Sequence, residues 1–351
     1  MCGGGWEGGG GVMEGLLAAG QGLCGAVAQL LLYPLGLLFQ RVPSLAAGVS
    51  YEIGGTRYRM RHLLGEGGFS FVYKVTDPSG QGFALKKILA QSEELLAGGL
   101  REIEVLRTFG GRPHVLQMVD CSVTDVRPGV KEILILLPHY GRGTVQDALD
   151  TKAAANEVDS ERPFFTEAQA LALFDGICAG LLHFHQHTPE AMAHYDLKPG
   201  NVLLSDSNTP VLMDFGSVRP ARQQIKSRRE ALQLQEFASI NCTMSYRAPE
   251  LWEPPSHCTI DERVDCWSLG CVLYALCMGR SPFDVSAGEL GGSVAVAVAS
   301  GRVDFDGKGE KVSEGFQQLT RALLSLEPEQ RIGVSEARER SQTLAQRVPQ
   351  P

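Results

Sequence analysis

The hydrophobic pattern changes period near Gly143, and that switch restricts the chain to an α+β architecture with two unequal lobes. Before it, apolar residues recur at strand-like spacing in Tyr58 to Leu64, Phe71 to Val75, Phe83 to Ile88 and Ile133 to Leu137, broken by one helix-like segment from Leu95 to Phe109. After it the spacing becomes helical. Thr166-Glu-Ala-Gln169 reads as a capping box opening the stripe Leu171, Phe174, Ile177, Leu181 and Phe184. Cys266 to Met278 is apolar on nearly every face, so a helix there must lie in the middle of the larger lobe. The expected unit runs over residues 58–345, with a sheet-rich lobe at 58–140 and a helical lobe at 141–345, followed by a short tail at 346–351.

Residues 1–57 have a different composition. Gly3 to Gly11 is almost all glycine, which costs the most backbone entropy to order and buries no side chain. From Gly15 to Gln40 there is no charged residue, and a run of this length is about what a helix needs to cross a bilayer. A secretory or organellar leader is disfavoured, because Glu7 and Glu14 stand where such leaders carry basic residues. The favoured expectation is a membrane anchor or re-entrant segment, with Arg41, Arg57, Arg59 and Arg61 keeping the following domain on the cytoplasmic side. The alternatives are an apolar helix docked on the domain, or a disordered extension with Met13 or Met60 as the true start. Of 351 residues, 32 are Lys or Arg and 40 are Asp or Glu, a net charge of -8, which gives no footprint for nucleic acid. Nine scattered cysteines without a CxxC pair point to a reducing, cytoplasmic setting rather than a structural zinc site.

Two constellations carry chemistry. The first is Leu64-Gly65-Glu66-Gly67-Gly68-Phe69-Ser70-Phe71-Val72, a glycine-rich turn between two strands, whose backbone can approach phosphates closely. Ala84-Leu85-Lys86 follows on the next strand and Glu102 on the helix-like segment, so a lysine can reach phosphate oxygens while an ion pair holds it. Glu104 competes with Glu102 for that place. The second is His194-Tyr195-Asp196-Leu197-Lys198-Pro199-Gly200-Asn201, followed by Asp214-Phe215-Gly216. It offers an aspartate for a hydroxyl proton, a lysine for transferred charge, and Asn201 with Asp214 as oxygen ligands for metal ions.

These motifs, in this order, resemble the protein kinase family. Thr243 with Tyr246-Arg247-Ala248-Pro249-Glu250 is similar to the docking end of an activation segment, and Asp265 to Gly270 to its central buried helix; Arg331 stands where kinases place the partner of the Ala-Pro-Glu glutamate. The resemblance implies a two-lobed fold with a small antiparallel β-rich lobe. It also implies use of ATP with Mg2+, and transfer of the γ-phosphoryl group to protein Ser/Thr hydroxyls, since Lys198 together with Thr243 is the serine/threonine pattern. Gly65 to Ser70, Val72, Lys86 and Glu102 would then handle the nucleotide. Ala84 and Leu203 would sandwich adenine, and Leu137, Pro138, His139 and Tyr140 would form the gatekeeper and hinge. Longer strings, such as Ile260 to Tyr274, resemble the Numb-associated kinase family, closest to its myristoylated and palmitoylated Golgi member, which implies a trafficking or Golgi-linked role.

Three departures bear on that expectation. Ser70 replaces the third glycine of the loop, as in the Golgi relative. Cys2 stands where myristoylation needs glycine, leaving the apolar stretch, with Cys2 and Cys24 as palmitoylation candidates, as the substitute anchor. Tyr195 replaces the arginine that grips an activation-loop phosphate, so that form of switching is expected to be absent or weak. Arg219 to Arg229 is expected to be a solvated basic loop, with Ser217, Ser227, Ser239 and Thr243 as candidate phosphosites, and His183, His185 and His187 to be ordinary helix-end histidines. The rival functional reading is a pseudokinase-like membrane scaffold that binds ATP without turnover.

Overall fold

The computed structural model describes residues 48–67, 70–155, 164–284, 293–305 and 312–348. The apolar stretch 15–40, Cys2, Cys24, Gly68 and Phe69 lie outside the described residues. No helix among the described residues is long and apolar enough to cross a membrane.

The smaller lobe is one antiparallel sheet of β1 (Ser50–Ile53), β2 (Thr56–Gly67), β3 (Ser70–Thr76), β4 (Gly82–Ala90), β5 (Asp120–Arg127) and β6 (Val130–Pro138), in the order β1-β2-β3-β4-β6-β5. Helix α1 (Glu93–Phe109) connects β4 to β5, its start fixed by Ser92, whose hydroxyl accepts the Leu95 N–H at 3.3 Å. The apolar run Ile133 to Leu137 on β6 is buried on both faces, which is why it lacks polar alternation. Ile133 and Ile135 face the main core with Ile103 and Phe109 of α1, while Leu134 and Leu136 join Ile53, Tyr58, Val75 and Leu85 in a second core. The sheet starts eight residues before Tyr58: β1 pairs with β2 through the turn Gly54-Gly55, where both residues have positive φ (57° and 75°).

The larger lobe is built on α3 (Glu167–His185) and α5 (Arg263–Met278), joined by α2 (Val145–Ala155), α4 (Arg228–Asn241), α6 (Val294–Ser300), α7 (Glu314–Leu323) and α8 (Val334–Ala345). The Thr166 capping box opens α3 as the sequence indicates, with both reciprocal bonds formed. Every residue from Val264 to Met278 is buried, so α5 is the central helix. Gly270 lets α7 approach it, because a Cβ there would stand 2.9 Å from Leu323 Cβ. Short strands β7 (Met192–Ala193), β8 (Val202–Leu204), β9 (Pro210–Leu212), β10 (Arg219–Pro220), β11 (Gln223–Ile225) and β12 (Cys258–Ile260) pair as β7–β10, β8–β9 and β11–β12. An aromatic contact ties the lobes: the Phe109 ring of α1 stacks on Phe184 of α3 with centroids 4.2 Å apart, and Phe184 meets Phe215 at a tilt, 5.4 Å away.

The basic stretch expected to be a solvated loop is folded. β10, β11 and the 14-residue α4 occupy residues 219–241, because Ala231, Leu234 and Ala238 recur at helical spacing and bury against the lobe.

Candidate active site

The glycine-rich turn is a hairpin of β2 and β3, with Gly65 opposite Val72 and Gly67 opposite Ser70. Register carries this chemistry inward: Val72 lies opposite Lys86, and Ala84 lies opposite Leu137, so the strand carrying the lysine also borders the gatekeeper position. Pro138 ends β6, and His139 and Tyr140 lead to Gly143, whose carbonyl accepts the Leu204 N–H; the neighbouring Thr144 bridges Leu203. The partly buried Ala84, Tyr140 and Leu203 all pack against the main core. His139 titrates below its ordinary range because it is partly desolvated and faces Lys74 and His62.

Lys86 Nζ donates to both oxygens of Glu102, at 2.7 and 2.8 Å, and to Asp214 Oδ1 at 2.9 Å. Glu102 sits on the sheet-facing side of α1 and is buried, whereas Glu104 is exposed, which resolves the choice between them. Burial works against the Lys86 charge, but the carboxylates of Glu102 and Asp214 outweigh it and hold the ammonium above its usual pKa. Lys86 in turn holds Asp214 down to about 2. Asp214 adopts φ 60°, a conformation costly for a non-glycine residue.

Around Asp196, one oxygen accepts the Thr243 N–H at 2.8 Å and the other accepts Lys198 Nζ at 2.8 Å and Asn201 Nδ2 at 3.1 Å. Lys198 also donates to Thr243 Oγ1 at 2.7 Å, and Asn201 to the Asp196 carbonyl at 2.7 Å. With its amide nitrogen so engaged, Asn201 keeps its side-chain oxygen, and Asp214 its second carboxylate oxygen, as hard donors suited to Mg2+.

At the far end of the segment, Arg331 meets Glu250 in a two-pronged ion pair at 2.8 and 3.1 Å and also donates to the carbonyls of Arg263 and Ser325. A model of the protein kinase domain matches residues 58–341. This chain belongs to the protein kinase family. It is 34% identical to a probable serine/threonine-protein kinase of Dictyostelium discoideum, over 85% of this chain and 96% of that one. It is 40% identical to serine/threonine-protein kinase 16 of Rattus norvegicus over 80% of this chain and 87% of the relative. Against serine/threonine-protein kinase ENV7 of Saccharomyces cerevisiae it is 30% identical, over 81% and 91%. The chain is a serine/threonine protein kinase.

Sequence reasoning missed the residue that shapes the kinase's catalytic loop. Asp265, fully buried on α5, accepts the Tyr195 N–H on one oxygen at 2.9 Å, and on the other the His194 N–H at 2.7 Å and His185 Nε2 at 2.9 Å. Burial alone would raise this carboxyl; His185 and the His194 N–H outweigh it and hold the pKa below normal. His185 is therefore not an ordinary helix-end residue. His187 lies beyond α3, with Nδ1 at 3.0 Å from the Glu190 carbonyl. Ser217 is buried with its hydroxyl donating to the His194 carbonyl at 2.6 Å, so it does not present a phosphosite in this fold. The readable signal for Asp265 was a carboxylate inside an otherwise apolar helix, which demands buried partners.

Proposed function

We propose that the kinase is an active phosphotransferase that moves the γ-phosphoryl group of ATP to Ser or Thr hydroxyls of proteins. The observation that carries this reading is the pair of networks: Lys86 with Glu102 and Asp214, and Asp196 with Lys198, Asn201 and Thr243. In this reading Ala84, Leu137 and Leu203 flank the adenine, and Pro138, His139 and Tyr140 line its polar edge. The β2–β3 turn, Gly65 to Ser70 with Val72, covers the phosphates. Lys86, oriented by Glu102, binds phosphate oxygens through charge-assisted bonds. Asp196, fixed by three donors, orients the acceptor hydroxyl and takes its proton as the new O–P bond forms and the bond to the leaving diphosphate breaks. Lys198 sits between Asp196 and Thr243, where it can neutralise charge on the migrating group. Asn201 and Asp214 would hold Mg2+, which supplies charge neutralisation at the phosphate oxygens when bound.

The scaffold alternative has only Tyr195 in its favour, since every other polar group that transfer requires is present in bonded order. Labelled ATP with Mg2+ and a generic basic protein test the reading on the full chain. Wild type should transfer label, and Lys86→Met and Asp196→Asn should each lose about a hundredfold or more. ATP binding without any transfer would refute it.

The membrane and Golgi part of the proposal rests on the uncharged run 15–40, on Cys2 and Cys24, and on the resemblance of strings such as Ile260 to Tyr274 to the Numb-associated family. Cell fractionation of wild type and a deletion of residues 1–40 tests it. Equal solubility of the two would end this part of the proposal.

A further inference from the structure

Tyr195 stands directly before Asp196, where an arginine would face the activation segment, and its side chain is only 3% exposed. Its backbone has φ 65°, a conformation rarely adopted by a bulky residue and kept only where the surroundings over-determine it. The ring touches successive parts of the segment. Gln223 of β11 donates its side-chain amide to the Tyr195 hydroxyl at 2.8 Å and also bonds the Pro220 carbonyl at the end of β10. Phe237 of α4 meets the ring edge-to-face at 5.6 Å and 85°, and the guanidinium of Arg219 lies 3.7 Å over the Phe237 ring. From α4 the chain runs directly to Thr243, whose N–H and hydroxyl fix Asp196 and Lys198.

We propose that Tyr195 is a positioning residue for phosphoryl transfer: its ring and hydroxyl clamp β11 and α4, so that the activation segment stays docked without any phosphate. The physical basis is the difference in what the two side chains require. A buried arginine needs a counter-charge, and a phosphate that supplies one also makes docking conditional. A tyrosine needs an acceptor or donor and an apolar neighbour, and Gln223 and Phe237 are permanent parts of the chain. Burial also raises the Tyr195 pKa, with the Asp265 charge adding to it, so the hydroxyl stays neutral.

This inference rests on the phosphotransferase reading, and the test separates the two. The full chain is treated with a protein phosphatase, the loss of phosphate is verified by intact mass, and transfer to a basic protein is measured. Wild type should lose less than fivefold in kcat/KM. Tyr195→Ala should lose at least tenfold for the protein substrate while the KM for ATP shifts less than threefold, because Tyr195 touches none of Lys86, Glu102 or Asp214. Tyr195→Phe should recover most of the loss, and Phe237→Ala should reproduce it if Tyr195→Ala fails to fold. A second readout needs no turnover: trypsin should cut after Lys226 and Arg228 at least tenfold faster in dephosphorylated Tyr195→Ala than in wild type. A loss of fivefold or more on dephosphorylating wild type, or equal cleavage rates in the two proteins, overturns the clamp. An inactive wild type that still resists cleavage refutes phosphoryl transfer and leaves the clamp standing.

Discussion

Replacing Asp265 by Asn should damage the kinase far more than its near-identical shape suggests. In the wild type one carboxylate oxygen takes the Tyr195 N–H and the other takes both the His194 N–H and His185 Nε2. An asparagine can offer only one oxygen, and its amide nitrogen must then face at least one of these donors. In the better orientation the Tyr195 bond is lost and the other two become bonds to a neutral acceptor. Bonds to a charged acceptor contribute about 1.5–3 kcal/mol, against about 1 for neutral ones, so one bond lost and two weakened cost roughly 2.5–7 kcal/mol. Because two of the three donors belong to the residues just before Asp196, much of that cost should appear as misplacement of the carboxylate, a loss of about 70-fold or more in kcat. Steady-state kinetics at saturating ATP, with denaturant unfolding alongside, divides the cost between catalysis and stability. The sign with pH is also fixed. A carboxyl whose folded pKa is depressed contributes stability that is present above its unfolded value, about 3.9, and is lost as pH falls through the folded one. The gap between wild type and Asp265→Asn should therefore narrow below about pH 4. Activity within threefold of wild type together with unchanged unfolding would refute the reasoning.

Other perturbations give equally definite outcomes. Arg331→Met strips the partner from the largely buried Glu250, and breaking such a pair costs about 3–5 kcal/mol, which a denaturant midpoint measures directly. Lys86→Met should move the Asp214 carboxyl upward from about 2 toward the ordinary range, as followed by carbon NMR of the carboxyl; in wild type that attraction acts above about pH 4 and fades as pH falls toward 2. In native protein a maleimide mapped by mass spectrometry should label the half-buried Cys121 and Cys258, while Cys178, Cys266, Cys271 and Cys277 react only after unfolding.

Much of this was legible because local signals and packing agree. The Thr166 box and the apolar length of α5 each point to one structure, and the order of Lys86, Glu102, Asp196 and Asp214 points to one site. The misses have physical causes. β1 is short and bounded by glycines, yet Gly54-Gly55 is the dipeptide that a tight hairpin with two positive φ values selects. α4 hides behind its basic residues, although Ser227 caps it by accepting the Glu230 N–H while Glu230 accepts the Lys226 N–H, a start signal in the sequence itself. For Asp265 the need for buried partners was readable but their identity was not: they lie some 70 to 80 residues away in the chain and meet only in the folded core.

The early start of the sheet also sets a leash length. Between the uncharged run that ends at Gln40 and Ser50 of β1 stand Arg41 to Val49, nine residues. Fully extended, nine residues reach about 30 Å. A folded unit of this size is about 50 Å across, from a radius of gyration near 19 Å. If the run is held in a bilayer, the nucleotide cleft stays within about two molecular diameters of the lipid surface. Substrates sharing that surface would then meet the kinase at high effective concentration, while freely diffusing proteins would gain nothing from the tether. Substrate choice would be set as much by the tether's length as by the cleft it carries.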